Sequence, residues 1–336
     1  MKKPKLTSSA NKYKISKLLP TIEQTPDDLF ISCASFEKRC MGILQGHFAK
    51  DYTARFGCLF KYESNREENY KFEEDKNANY EQMRSLLSSN ITDILSSVIC
   101  YRKEVLDGLS QFAVLWETLW KPSGCKIVTI DITTFTKLYM LEILHFLMVR
   151  KKVRKVCVVY NQAKVYGSSL LTSGVGEVIC IPSFAGKFNV GKERILIACL
   201  GFETERALGI WHAFEPNKTI AIIGEPPLRP QYVKRAKERN KFLLGRAGVE
   251  VKYADPYDPF AMVKFLEEIY NTECLDTQGE PCNVVIMPLG TKVQALGAFL
   301  FWLRHRGVRL MYAFPQGYGE GYSTRQPGDN FSYPLY

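Results

Sequence analysis

The stretch Ile195-Leu196-Ile197-Ala198-Cys199-Leu200-Gly201-Phe202-Glu203-Thr204-Glu205-Arg206 decides how the chain is read. Ile195 to Leu200 is a continuous apolar run, the mark of a strand covered on both faces. Gly201 breaks it, and Ala207-Leu208-Gly209-Ile210 carries on as a helix after the charged turn. The same order stands much earlier. Leu29-Phe30-Ile31-Ser32-Cys33-Ala34-Ser35 leads into Phe36-Glu37-Lys38-Arg39-Cys40-Met41-Gly42-Ile43. Both read strand, then Phe-Glu and a nearby arginine, then a helix containing Gly-Ile; the second copy has one extra residue before its arginine.

Working outward, each half continues alike. Second strands at Arg55 to Phe60 and Thr219 to Ile223 precede loops with an acid, an arginine and a tyrosine: Glu63, Arg66 and Tyr70, against Glu225, Arg229 and Tyr232. Later strands, Lys126 to Ile130 and Asn283 to Met287, run into Thr136-Lys137 and Gly290-Thr291-Lys292, each opening an apolar helix. A Val-Arg pair, Val153-Arg154 or Val308-Arg309, starts 16 positions after each lysine and precedes another strand. Even the tails agree: Tyr166, Gly176 and Pro182 correspond to Tyr318, Gly328 and Pro334 at one offset of 152. A recurrence in this order predicts internal duplication.

Strands rich in Val and Ile that alternate with helices imply parallel sheets covered by helices. The expected fold is therefore α/β, two tandem Rossmann-like units about a pseudo-twofold. The expected boundaries are a basic flexible arm at 1–18, a first unit at 19–166, a linker with a short strand at 167–190, and a second unit at 191–336. The short strand, Glu177 to Phe184, is expected to cross to or edge the other half. The charged stretch Glu67 to Glu81 reads as a solvated segment peculiar to the first half.

Composition fits this plan. The 336 residues are 46% hydrophobic and 24% charged, which excludes disorder as the main state. Lys and Arg number 45 against 35 acids, a net charge of +10, and this favours an anionic partner. No apolar run is long enough for a transmembrane helix, and the basic start lacks the apolar segment of a signal peptide, so a cytoplasmic protein without a membrane partner is expected. The ten cysteines form no C-x-x-C pair and read as reduced, buried thiols; no metal site and no cofactor are expected. The Walker A spacing, the G-x-G-x-x-G fingerprint and the G-x-S-x-G elbow are all missing.

Ligands of open α/β sheets bind beyond the carboxyl ends of the strands, where the recurrent polar residues fall. Ser35, Arg39, Gly201 and Arg206 follow the first strands; Arg66, Glu225 and Arg229 the second; Thr136, Lys137, Gly290, Thr291 and Lys292 the later ones. A helix start carrying Thr-Lys suits a phosphate, and arginines clamp one bidentately. Glu37 and Glu203 are candidate catalytic bases, or else helix-start charges paired within the chain. The basic run Lys234, Arg235, Lys237, Arg239 and Lys241 is either a solvated helix or a surface for polyanions. Phe314 to Tyr322, alternating Gly with aromatics, is either a base-stacking lip or a plain loop.

The strand–Gly290-Thr291-Lys292–helix element resembles the CRISPR-associated Rossmann fold (CARF) sensors, and two fused units resemble SAVED domains. Thr136-Lys137 matches more weakly, since Phe135 replaces the glycine. The resemblance implies a nucleotide or cyclic-oligonucleotide sensor, a component of a bacterial antiphage defence system. Two alternatives stay open: an enzyme acting on a nucleotide or phosphodiester in the same crevice, and an interaction subunit that binds nucleic acid or a larger defence complex.

Overall fold

A computed structural model describes residues 27–45, 52–63, 72–100, 105–167, 169–170, 172–225, 230–319 and 327–335; the side chains at 63 and 96–108 are not included. The chain divides into two compact units. One comprises residues up to 167 together with those from 323 onward; the other is 168–322.

In the first unit the strands are β1 (Asp27–Ala34), β2 (Ala54–Glu63), β3 (Ile91–Cys100), β4 (Ile127–Asp131) and β5 (Lys155–Ala163). Three helices connect them: α1 (Glu73–Ser88), α2 (Val105–Leu115) and α3 (Lys137–His145). The two-residue strand β6 (Thr172–Ser173), then β7 (Val178–Cys180), β8 (Arg194–Leu200), β9 (Lys218–Gly224), β10 (Val249–Ala254), β11 (Asn283–Pro288), β12 (Arg309–Ala313) and β13 (Gly317–Tyr318) follow in the second unit. Its helices are α4 (Thr204–Phe214), α5 (Gln231–Arg239), α6 (Lys241–Leu244), α7 (Pro259–Glu273) and α8 (Lys292–Trp302). The last strand is β14 (Pro327–Leu335).

Each unit holds one six-stranded sheet, in the orders β14-β5-β4-β1-β2-β3 and β7-β12-β11-β8-β9-β10. The five strands native to each unit are parallel, and the sixth is antiparallel. The protein is thus α/β with two tandem Rossmann-like units, and corresponding strands occupy corresponding places.

The sixth strands reveal an exchange. The segment that follows β5, the last parallel strand of the first unit, supplies β7 to the second sheet. The segment that follows β12 supplies β14 to the first. The registers agree residue by residue. Ser332 faces Val159 and Cys180 faces Met311, so each partner lies 152 positions from its equivalent (332 against 180, 311 against 159). The expected strand between Glu177 and Phe184 therefore exists and edges the second sheet. The expected boundaries differ at the C-terminus, because the strand from Pro327 to Leu335 pairs with β5 and belongs to the first unit. An edge strand goes where its hydrogen bonds and buried side chains are satisfied, and Phe331, Tyr333 and Leu335 are buried there.

Local chemistry sets the elements. Asp258 caps α7 by accepting from the amides of Phe260 (2.8 Å) and Ala261 (2.9 Å), with Pro259 at the first helical position. One face of the first sheet packs Phe30, Leu59 and Val159 with Met83 and Leu87 of α1. Phe60 points to the other face and meets Phe112 at 5.5 Å and Phe135 at 5.2 Å. In the second unit, Leu196, Ala221, Val285 and Met287 pack with Ala207 and Ile210 of α4. Among the described residues no helix is long and apolar enough to cross a membrane.

Helix α1 corrects one expectation. The charged segment of the first half is not peculiar to it: α1 lies between β2 and β3 as α5 and α6 lie between β9 and β10. The basic arm at 1–18 lies outside the described residues.

Candidate functional site at the carboxyl ends of the strands

In both sheets the chain runs outward from the central strand on one side, then returns to its other side. The topological switch falls between β1 and β4 in the first unit and between β8 and β11 in the second. The switch point beyond the carboxyl ends of the strands is the usual ligand position in open α/β sheets.

In the second unit the switch point is flanked by Gly201 after β8 and by Leu289-Gly290-Thr291 after β11. A Cβ on Gly201 would stand 2.9 Å from the Leu289 carbonyl oxygen, so the two loops touch only because that residue has no side chain. A Cβ on Gly290 would collide with the Gln294 side-chain oxygen. Thr291 caps α8 through a reciprocal box. Its hydroxyl accepts from the Gln294 amide at 3.0 Å, while its own amide donates to Gln294 Oε1 at 2.9 Å. The Thr291 hydroxyl donates to the Pro256 carbonyl at 2.8 Å, which ties this turn to the loop after β10. Lys292 is the first helical residue and is half-buried. Gln294 is buried, and its Nε2 has no hydrogen-bond partner among the described residues.

The first unit builds the corresponding turn differently. The loop from Ile132 to Thr136 is longer, and Phe135, in the place of Gly290, is buried against Phe60. Thr136 precedes α3 without capping it through its side chain, and its amide donates to the Tyr62 hydroxyl at 2.6 Å. Lys137 is half-buried at the first helical position. Asp131, buried at the end of β4, accepts from the Thr133 amide at 2.9 Å and the Ser32 hydroxyl at 3.2 Å.

The Phe-Glu-(x)-x-Arg elements form buried ion pairs. Arg39 Nε lies 3.0 Å from Glu37 Oε2, with the arginine only 1% exposed, and its Nη1 donates to the Asn161 carbonyl near the end of β5 at 3.1 Å. Arg206 Nη1 lies 2.8 Å from Glu203 Oε2, and its Nε donates to the Ala313 carbonyl at the end of β12 at 2.7 Å. Each pair therefore fastens the loop after the central strand to the end of a strand two places away. Thr172 donates to the second oxygen of Glu203 at 2.9 Å. Burial disfavours the charged form of Arg206, but the Glu203 carboxylate outweighs that cost and holds its pKa above the ordinary arginine value. The guanidinium also lies over the Tyr312 ring at 4.7 Å. The two glutamates proposed as bases are thus engaged by arginines of the chain itself.

Sequence reading missed one recurrent pair. Asn79 donates to the Ser35 carbonyl and Asn240 to the Gly201 carbonyl, each at 2.8 Å. These amides fix the first residue beyond the central strand in both units. The signal is an asparagine at a similar distance after Arg66 and Arg229, inside segments whose sequences otherwise differ between the halves. Ser35 also accepts from the Glu37 amide at 3.3 Å.

The remaining candidates are more dispersed. Glu225 is exposed just after β9. Arg66 and Arg229 lie outside the described residues, as does the Glu63 side chain. Gly317 and Tyr318 pair with Ser173 and Thr172 as a small ribbon, so the glycine-aromatic stretch is ordered there. Cys40, Cys125 and Cys274 are buried thiols pushed up to about 12, chiefly by burial. No disulfide and no cluster of metal-ligating side chains occurs among the described residues.

No protein-family model matches the sequence, and no curated protein matches it. Among solved structures, the chain is similar to Can2 from Sulfobacillus thermosulfidooxidans in complex with cyclic tetra-adenylate, at 15% identity and a TM-score of 0.27. The match covers 39% of this chain and 38% of that one.

Proposed function

We propose that the protein binds a nucleotide-like anion, with a cyclic oligonucleotide as the preferred class, at the switch-point crevices of its two units. The observation that carries this reading is the Gly290-Thr291-Lys292 turn. It puts Lys292 at the first position of α8, the positive end of the helix dipole, after a strand that borders the switch point. The capping box uses the amides of Thr291 and Gln294, so Lys292 supplies the main charge for a phosphate. Gly201, Glu225, Arg229 and Thr291 would complete the second site; Ser35, Arg66, Thr136 and Lys137 would form the first. Glu37, Arg39, Glu203 and Arg206 act in this reading as ion pairs that hold the crevice walls, and binding rather than turnover is the activity.

Shared motif order, strand order and exchange register support descent of both units from one ancestral unit. The resemblance to CARF and SAVED proteins extends the proposal to a cytoplasmic sensor in antiphage defence. Calorimetry with mono-, di- and cyclic nucleotides tests the reading. Binding that weakens about ten- to a hundredfold in Lys292→Ala, the loss of one charged hydrogen bond, supports it. Absence of binding to the whole panel by the wild type contradicts it.

A further inference from the structure

Helices α5 and α6 and strand β10 carry a surface that the switch-point reading does not use. From Lys234 to Arg246 the chain places Lys234, Arg235, Lys237, Arg239, Lys241 and Arg246 against a single acid, Glu238. Three other lysines of this unit are neutralised: Lys192 by Asp276 at 3.0 Å, Lys252 by Glu250 at 2.7 Å, and Lys218 by Glu273 at 2.5 Å. On this surface, Glu238 reaches Lys234 at 3.9 Å, with both side chains exposed.

Lys237 and Lys241 meet aromatic rings instead of carboxylates. Lys237 lies 4.9 Å from the Tyr253 ring, and Lys241 lies 5.1 Å from the Phe242 ring. Both rings face solvent, Phe242 with 67% and Tyr253 with 38% of its surface exposed. Lys237 lies near the end of α5 and Lys241 opens α6, and both are exposed. Arg235, over the Phe202 ring at 4.3 Å, extends the pattern toward the residue after Gly201.

We propose that this face of α5, α6 and β10 binds single-stranded nucleic acid. Single strands are held by cations that track the phosphates and by exposed aromatic faces on which bases stack, and this surface offers the two side by side. A duplex, with its bases already stacked, gains only the charge contribution. Lys237 and Lys241 stand beside aromatic rings, and the exposed Phe242 supplies what a merely solvating helix does not need.

The test is fluorescence anisotropy on the full chain with labelled oligo(U) and oligo(dT) of about 20 nucleotides and a mixed-sequence duplex of the same length, over a salt series. Lys237→Ala/Lys241→Ala is expected to weaken single-strand binding at least tenfold and to reduce the slope of log affinity against log salt by about 1.4, two phosphates' worth. Phe242→Ala is expected to weaken single strands about tenfold at an unchanged salt slope. All three substituted residues are exposed, so folding is retained. The oligo(U) and oligo(dT) arms decide between RNA and DNA. Three results would each overturn the proposal: no single-strand binding at low salt, duplex binding equal to single-strand binding with Phe242→Ala silent, or loss of binding on Lys292→Ala. The last would move the strand to the switch-point crevice, so this proposal can fail while the nucleotide reading stands.

Discussion

Arg206 Nη1 lies 2.8 Å from Glu203 Oε2, with both side chains buried. A buried ion pair of this kind is weak evidence for net stability, but removing one partner strands the other charge. Arg206→Met is therefore expected to destabilise the second unit by about 3–5 kcal/mol. Glu203→Gln/Arg206→Met is expected to recover much of that loss, because no uncompensated charge remains. Urea unfolding of the single and double variants measures it. Equal destabilisation by both would show that the pair serves something other than mutual neutralisation.

The strand exchange makes a prediction about distance along the chain. Tyr333 is buried in β14, near the C-terminus, yet β14 completes the first sheet. Tyr333→Ala is expected to cost about 3–5 kcal/mol, as for other large aromatic truncations. Hydrogen exchange should locate the loss in β5 and β4, with β11 and β12 unaffected. Loss of protection confined to the second unit would contradict the exchange.

Asp27 gives a pH dependence. It is buried at the start of β1, accepts from the Tyr52 hydroxyl at 2.7 Å and from the Thr129 hydroxyl, and burial raises its pKa above the ordinary 3.8 against those bonds. A raised carboxyl binds its proton more tightly in the folded than in the unfolded state. Its contribution is fully present below pH 3.8 and is lost as pH rises through the folded value. Asp27→Asn cannot ionise, so its stability relative to wild type should improve across that window. Urea midpoints at a series of pH values check this, and a constant difference across the series would refute it.

Much of the plan was readable because the central strands are buried on both faces. Ile195 to Leu200 and Leu29 to Ala34 have no polar period to obscure them, and the order of motifs after them exposed the second unit. Strands β3 and β10 were not found for the same physical reason in reverse. Each lies at a sheet edge, where polar residues such as Thr92, Asp93, Glu250 and Lys252 break the apolar run. The destination of β14 is a tertiary fact: its residues correspond to β7, but only pairing reveals that each tail completes the other sheet. Of the candidate site, Gly201, Gly290, Thr291 and Lys292 are brought together at one switch point. Glu37 and Glu203 fit their chemical description as helix-start acids, yet sequence spacing alone could not tell a poised base from a carboxylate already held by its neighbouring arginine.

Gly290-Thr291-Lys292 carries the central claim, and the most direct measurement is calorimetric titration of wild type and Lys292→Ala with a cyclic oligoadenylate and a matched linear oligonucleotide. The expected result is saturable binding of the cyclic ligand by wild type, weakened about ten- to a hundredfold by Lys292→Ala with the fold intact. Wild-type binding that Lys292→Ala leaves unchanged would contradict the site, and no binding of any nucleotide would contradict the function.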